Sequence, residues 1–491
     1  MRVPAARVPA GDESMREKET ESMSEPKRLI LNLFEMNCVS HITHGLWRLP
    51  GNNRTRFTDI EYWLELARLL ESGGFDAVFL ADVIGAYDVF RGGPETAIRE
   101  GLQIPSNDPM LVVPAMAAVT QHLGFGITFS TSYEPPFSFA RRMSTLDHLT
   151  KGRVGWNIVT SYLPNAARNF GLRGEIVHDS RYDRADEYLE VLYKLWEGSW
   201  DDDAIVEDRE RNVYAEPDRI RYINHRGDNF RVAGPHLSSP SPQRTPLLIQ
   251  ATQSPRGIAF GARHAELVFT GGSSFEEVSE NIRRFRDALP AQGRERDAVK
   301  FVVGATVIVG ETREQALAKL AEFDRLASID GVLAHASLPF DPTAYPQEAL
   351  LGEILDREGL SGSLPRGSLP RDISIGQFLR TMTGFHRKPY MAVGTGADAA
   401  DAIESWLDDH DIDGINLVQY HSHGTAEDFI RHVVPELRRR GRLREGYQPR
   451  ETLRERVHGA GPRLPGSHPG ARFRGGANLD TADPYAEAVP V

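Results

Sequence analysis

Eight short apolar runs, separated by segments with helical periodicity, constrain this chain more than any other feature of its sequence. They are "LILNLF" (29–34), "DAVFLAD" (76–82), "LGFGITFS" (123–130), "RVGWNIVTS" (153–161), "PLLIQAT" (246–252), "AELVFTG" (265–271), "FVVGATVIVG" (301–310) and "GINLVQY" (414–420). Strands that read as continuous apolar runs rather than alternating ones are covered on both faces, which is the condition of a parallel sheet. The intervening segments are amphipathic: in "DRADEYLEVLYKLWEG", Ala185, Leu189, Leu192 and Trp196 share one face at spacings of three and four. Strand and helix alternating eight times predict a (β/α)8 TIM barrel, and barrels with insertions reach this length of 491 residues as one unit. Two stretches, 199–245 and 329–395, are too long for ordinary loops and are expected to be insertions that carry lids or function. The barrel domain is expected over 29–450. Residues 1–28 read as a disordered lead-in, with Met23 as a candidate start, and 451–491, rich in Arg, Gly and Pro, as an unstructured tail.

The formal net charge of -12 argues against general nucleic-acid binding, which needs a basic excess, but leaves room for a local site for one phosphate. A single cysteine, Cys38, forbids an intrachain disulfide and a thiolate metal cluster, so a cytoplasmic location is the default expectation. No run approaches 18 apolar residues, and no membrane association is expected.

In a (β/α)8 barrel the active site lies at the C-terminal ends of the strands, and here those ends are polar. The first run leads to His41 and His44, the second ends at Asp82, and the third offers Thr128 and Ser130. The fourth offers Asn157, Thr160 and Ser161, the fifth leads to Ser254, and the eighth to His421 and His423. "QSPRG" combines an N-cap serine, Ser254, with Pro255 at the first helical position and Gly257, a seat suited to a phosphate. "VGTGADAADAIESWL" has a Gly-x-Gly-x-x-Ala spacing, but it does not follow the first strand of an open sheet and reads as a tight turn into a helix. The histidines of "VSHITHGLW" allow two readings. With His421, His423 and Asp82 they could serve a metal-dependent barrel hydrolase. Packed with Phe34 and Trp47 they could instead act as hydrogen-bond donors to a substrate or a reactive oxygen species.

The stretch "LGFGITFSTSYEPPFSFARRMSTLDHLTKGRVGWNIVTSYLPNAARNFGL", followed by "HDSRYDRADEYLEVLYKLWEGS" and "IQATQSPRG", resembles the flavin-dependent monooxygenases grouped with nitrilotriacetate monooxygenase, dibenzothiophene sulfone monooxygenase and pristinamycin synthase, within the bacterial luciferase-like superfamily. The match runs from about Leu29 to Arg450. The resemblance implies a barrel that uses reduced FMN (FMNH2) from a separate NAD(P)H-dependent flavin reductase. With O2, it would oxidise a small organic substrate through a flavin peroxide, with C–N or C–S cleavage in some relatives. It places flavin contacts on Asp82, Thr128, His178, Tyr182 and Ser254, with Arg256 and Gly257 completing a phosphate grip. The catalytic position falls on His41 or His44; sulfone-type relatives have one residue between the pair, where this chain has Ile42 and Thr43. The apolar pocket falls on Phe34, Phe79 and Phe269. His335 is the histidine nearest the lid position of the sulfone-type enzymes, which aligns with Ser337. A homodimer or homotetramer is expected, and an F420-dependent oxidoreductase is the alternative within the superfamily.

Overall fold

The computed structural model describes residues 26–174, 177–360, 371–383, 389–483 and 485. The lead-in read over 1–28 therefore lies, up to residue 25, outside the described residues, and so does most of "SGSLPRGSLPRD".

All eight apolar runs are strands: β1 (Ile30–Met36), β2 (Ala77–Ala81), β3 (Gly124–Ser130), β4 (Val154–Val159), β5 (Leu247–Ala251), β6 (Leu267–Thr270), β7 (Lys300–Val309) and β8 (Gly414–Val418). Each pairs in parallel with its sequence neighbour, and β1 pairs with β8, so the sheet closes into a barrel. Eight helices follow the strands outside it: α1 (Ile60–Ser72), α2 (Val113–Ala118), α3 (Pro136–Thr150), α4 (His178–Tyr193), α5 (Pro255–His264), α6 (Phe275–Ala288), α7 (Arg313–Leu326) and α8 (Val434–Arg439). Outward side chains of the strands meet this layer. Trp156 of β4 packs against Phe139 of α3 and Tyr188 of α4, with ring centroids 4.6 and 6.2 Å away. The periodicity that selected Ala185, Leu189 and Leu192 marks the buried face of α4.

The eighth-strand count omits one further parallel strand, Met391–Gly394, which pairs with Thr306–Val309. β7 is ten residues long, and its second half runs beyond its pairing with β8, so it offers free backbone groups that a short strand can satisfy. The turn after it is the tight entry into a helix expected from "VGTGADAADAIESWL": Thr395 and Asp398 form a reciprocal capping box at the start of Gly396–Asp409.

The two insertions have different characters. Residues 199–245 carry two small antiparallel hairpins, Ile205–Asp208 with Val213–Ala215 and His225–Arg226 with Arg231–Val232. The described part of 329–395 carries short helices, Ile329–His335, Leu351–Arg357 and Ile375–Thr383. Leu333, Leu338, Phe340 and Ile354 from this insertion bury themselves with Tyr87 and Phe90 of the β2 loop and Leu163 of the β4 loop, forming an apolar cap over one side of the barrel mouth.

The expectation of an unstructured tail from 451 is corrected. Leu453–His458 is a helix opened by a Thr452–Glu455 capping box, and Pro469–Gly476 is a further helical turn segment. Leu453 and Val457 enter the N-terminal mouth of the barrel beside Ala77, Leu247, Leu267 and Val302. Arg454, 1% exposed, forms a two-pronged ion pair with Glu266 at 2.7 and 2.8 Å and donates to the carbonyls of Thr245 and Pro246. Arg456 donates to the carbonyls of Asp76 and His122. Arg454 is thereby neutralised by a strand-entry carboxylate 188 residues away, and Arg456 by Glu451 at 3.0 Å.

Candidate active site

The register places alternate side chains of each strand inside the barrel, and near the C-terminal ends these are Phe34, Phe79, Thr128, Asn157 and Phe269. The three phenylalanines meet: Phe34 lies 5.7 Å from Phe79 and 5.9 Å from Phe269, and Phe79 lies 5.6 Å from Phe269. Above them opens a cavity of about 350 Å³ whose wall includes His41, Asp82, Thr128, Tyr182 and Gln250.

The histidine pair splits. His41 lines the cavity with its ring stacked on Phe34, centroids 5.3 Å apart, and Nδ1 meets the Gln103 amide nitrogen. With that amide donating, Nδ1 accepts and the ring proton sits on Nε2. His44 is buried behind it, and its Nε2 pairs with Nδ1 of His335 at 3.1 Å. The His335 ring lies 5.3 Å from His41 and edge-on to Tyr87 at 5.1 Å, so the lid helix Ile329–His335 delivers its last residue to the back of the pair. His421 and His423 do not join this group. His421 Nε2 donates to the Pro50 carbonyl, 3.1 Å away, and His423 packs on Tyr62 at 4.6 Å. Among the described residues no group of three or more His, Cys, Asp or Glu is arranged to hold a metal ion.

The floor is polar. Asn157 Nδ2 donates to Thr128 Oγ1 at 2.9 Å, while Asn157 Oδ1, fully enclosed, has no partner. Asp82 stands on the rim. Burial raises its carboxyl pKa, the nearby Asp108 carboxylate raises it further, and the Val83 N–H pulls the other way, leaving it at about 7.

The far end of the cavity is built by α4 and α5. Ser254 caps α5 as expected, accepting from the Gly257 N–H at 3.1 Å, with Pro255 at the first position. A side chain at residue 257 would collide with Thr252 Oγ1 and come within 2.8 Å of the Tyr182 hydroxyl and 2.9 Å of Ser254 Oγ. Barrel closure thus gathers hydroxyls from residues 72 positions apart around one helix start. His178, half exposed, stands 5.3 Å from the Tyr182 ring.

Arg256 departs from its expected place. Its guanidinium pairs with Asp183 at 2.9 Å and Asp186 at 2.6 Å, on the outer side of α4, and lies over the Tyr182 ring at 5.6 Å. The cation on the cavity wall is Arg181, which donates to the Ser161 carbonyl. Arg181 was legible in principle, because it sits three residues after His178 in "HDSRY", on the same helical face. Gln103, Tyr87 and Tyr162 also belong to the site, and Tyr87 and Tyr162 share a hydroxyl–hydroxyl hydrogen bond across the mouth. They sit on irregular segments that carry no sequence signal.

Residues 38–364 match the family described as luciferase-like monooxygenase. The chain belongs to that family. This luciferase-like monooxygenase is 49% identical over 452 residues to the long-chain alkane monooxygenase of Geobacillus thermodenitrificans (strain NG80-2), covering 91% of this chain and 98% of that protein. It is 42% identical to the dimethyl-sulfide monooxygenase of Hyphomicrobium sulfonivorans, covering 91% and 94%. Its fold superposes on the crystal structure of a long-chain alkane monooxygenase with a TM-score of 0.84, covering 91% of this chain and 100% of the other at 49% identity. A riboflavin lyase structure, solved with modified FMN and riboflavin, gives 0.81 at 37% identity, covering 91% and 100%. The enzyme is therefore a flavin-dependent monooxygenase on a TIM barrel, and its family uses reduced flavin. Among the described residues no helix is long and apolar enough to cross a membrane.

The residues present fit a flavin mononucleotide. The unsatisfied Asn157 Oδ1 suits the imide N–H of an isoalloxazine, and the hydroxyl-ringed start of α5 suits a phosphate.

Proposed function

We propose that this chain is the oxygenase component of a two-component system, taking FMNH2 from a separate NAD(P)H-dependent flavin reductase and inserting one atom of O2 into a small organic molecule. The observation that carries this reading is the shape of the barrel mouth. An aromatic-walled cavity has the His41 imidazole on its wall and an unsatisfied amide oxygen at Asn157, and it reaches Tyr182 and Phe260 beside the hydroxyl-ringed start of α5. The relatives support its terms. Nitrilotriacetate monooxygenase of Aminobacter aminovorans, 33% identical, is itself named component A, and the riboflavin lyase was solved with a modified FMN.

In this reading the Tyr182 and Ser254 hydroxyls hold the phosphate at the start of α5, with Arg181 contributing charge, while Thr128 and Asn157 hold the ring's polar edge. Bound reduced FMN supplies the two electrons that activate O2. His41 does the protein's chemistry: its Nε2 proton faces the cavity, where it stabilises oxygen charge as it develops and protonates the oxygen atom that leaves as water. His44, through His335, positions the lid helix against His41. Phe34, Phe79 and Phe269, with the apolar cap of the 329–395 insertion, keep water away from the reacting oxygen. Oxygenation adjacent to sulfur or nitrogen would lead to C–S or C–N cleavage.

The test supplies photoreduced FMN to the purified chain and follows oxygen uptake and hydrogen peroxide yield across a panel of alkanes, sulfides, amines and aminopolycarboxylates. A true substrate lowers peroxide in proportion to product formed. A peroxide yield that none of them lowers, with no oxygenated product from any, sinks the reading. In the same assay Ser254→Ala is expected to weaken FMN binding by about 1–2 kcal/mol, the scale of one charge-assisted hydrogen bond.

A further inference from the structure

Past Asp82, Val83 and Ile84 the inner cavity adjoins a second chamber of about 570 Å³. Its apolar wall is aromatic: Phe129 on one side and, on the other, Tyr133 stacked face to face on Phe170 with centroids 4.4 Å apart and planes at 5°. Its polar wall is one-sided. The carboxylates of Asp82, Asp108 and Glu134 line it, and Arg142, the one cation on the wall among the described residues, is held in an ion pair by Glu134 and lies over the Phe129 ring at 5.2 Å.

A second observation points to an occupant. Gln103, only 3% exposed, lines this chamber with an amide oxygen that has no partner, while its amide nitrogen is committed to His41. The enclosed Ser106 hydroxyl on the same wall is equally unsatisfied. An enclosed acceptor without a donor is costly unless something supplies one. Chamber and inner site are thus joined at Gln103, which touches the proposed catalytic imidazole on one side and the open volume on the other.

We infer that the outer chamber receives the organic substrate and that it admits uncharged or cationic molecules while turning carboxylates away. This deepens the oxygenase reading and rests on it. The aromatic stack and Phe129 accept an apolar body or the face of a cation. Gln103 Oε1 accepts a hydrogen from an N–H or O–H. An incoming carboxylate finds no unpaired cation on the wall to meet it, and it brings a further negative charge beside Asp82 and Asp108 in a half-enclosed space where water screens poorly.

The experiment compares three probes of one chain length, hexanol, hexylammonium and hexanoate, by calorimetric titration of the full chain loaded with oxidised FMN, at a pH of about 8, where simple carboxylates are ionised. Hexanol and hexylammonium are expected to bind at least about ten-fold more tightly than hexanoate. Asp108→Lys should shrink or invert that gap, and Asp108→Asn, which keeps the cap on the Met110 N–H, should narrow it; FMN affinity reports that each variant is folded. Equal binding of hexanoate and hexanol, failure of all three probes to bind, or a gap of the same size in both folded variants would overturn the inference. Oxygenated product and peroxide yield with reduced FMN are measured on the same preparation across the substrate panel. A charge ordering with no oxygenated product would remove the oxygenase reading and keep the selectivity, and oxygenated product without the ordering would do the reverse.

Discussion

His41, the imidazole of the proposed chemistry, and Asp82, the carboxyl on the cavity rim, are expected to fail differently when changed. The proposed binding determinants for FMN lie at other strand ends, so His41→Ala is expected to leave FMN affinity nearly intact while product formation falls by about 10²-fold or more, with the missing product recovered as hydrogen peroxide. His44→Ala should instead act through His335 and the lid helix. Peroxide yield set against product for both variants decides between them, and equal losses in FMN affinity and product for His41→Ala would count against the assignment. Asp82 is tested by pH. In the unfolded chain it titrates near 3.8 and in the fold at about 7, so the folded state holds its proton more tightly. Its contribution is greatest below the lower value and is lost as pH rises toward the upper one. Urea midpoints measured across that window should therefore decline more steeply for the wild type than for Asp82→Asn; parallel profiles would show that the carboxyl does not titrate there.

The strands were legible from the sequence because residues buried on both faces leave continuous apolar runs, and each run lands within about two residues of its strand. What escaped was whatever depends on a distant partner. Met391–Gly394 is too short to announce itself and exists because β7 overruns its neighbour. Arg256 read as a phosphate ligand since its carboxylate partners, Asp183 and Asp186, lie 73 and 70 positions away. Leu453–His458 read as tail because Glu266 is 188 residues from Arg454. That last pair makes a sharp prediction. Burial pushes the Glu266 carboxyl pKa up, but the Arg454 charge and hydrogen bonds more than offset it and hold it at about 2. Arg454→Ala would leave an enclosed, unpaired carboxylate, and urea unfolding is expected to show a loss of about 3–5 kcal/mol. Adding Glu266→Gln should recover part of it, and an unchanged midpoint in the single variant would mean that the helix does not close the barrel base in solution.

For the whole molecule, the division of labour is the point to test. The one glycine-rich turn that imitates a dinucleotide fingerprint is a capped helix entry, with Asp398 folded back on Thr395. The isolated chain is therefore expected to bind FMNH2 more tightly than oxidised FMN and to leave NADH unconsumed until a flavin reductase is added. Sustained NADH oxidation by the chain alone would contradict a two-component design.

The helix at the barrel base also sets an order of events during synthesis. Leu453 and Val457 complete a core whose other members, from Phe34 to Val302, have left the ribosome long before them. Until they arrive, the nascent barrel exposes an apolar floor to chaperones and proteases, although the machinery of the mouth is already translated. A stop codon that removed only the last tenth of the message would therefore produce a chain with every proposed active-site residue and a much shorter life in the cell.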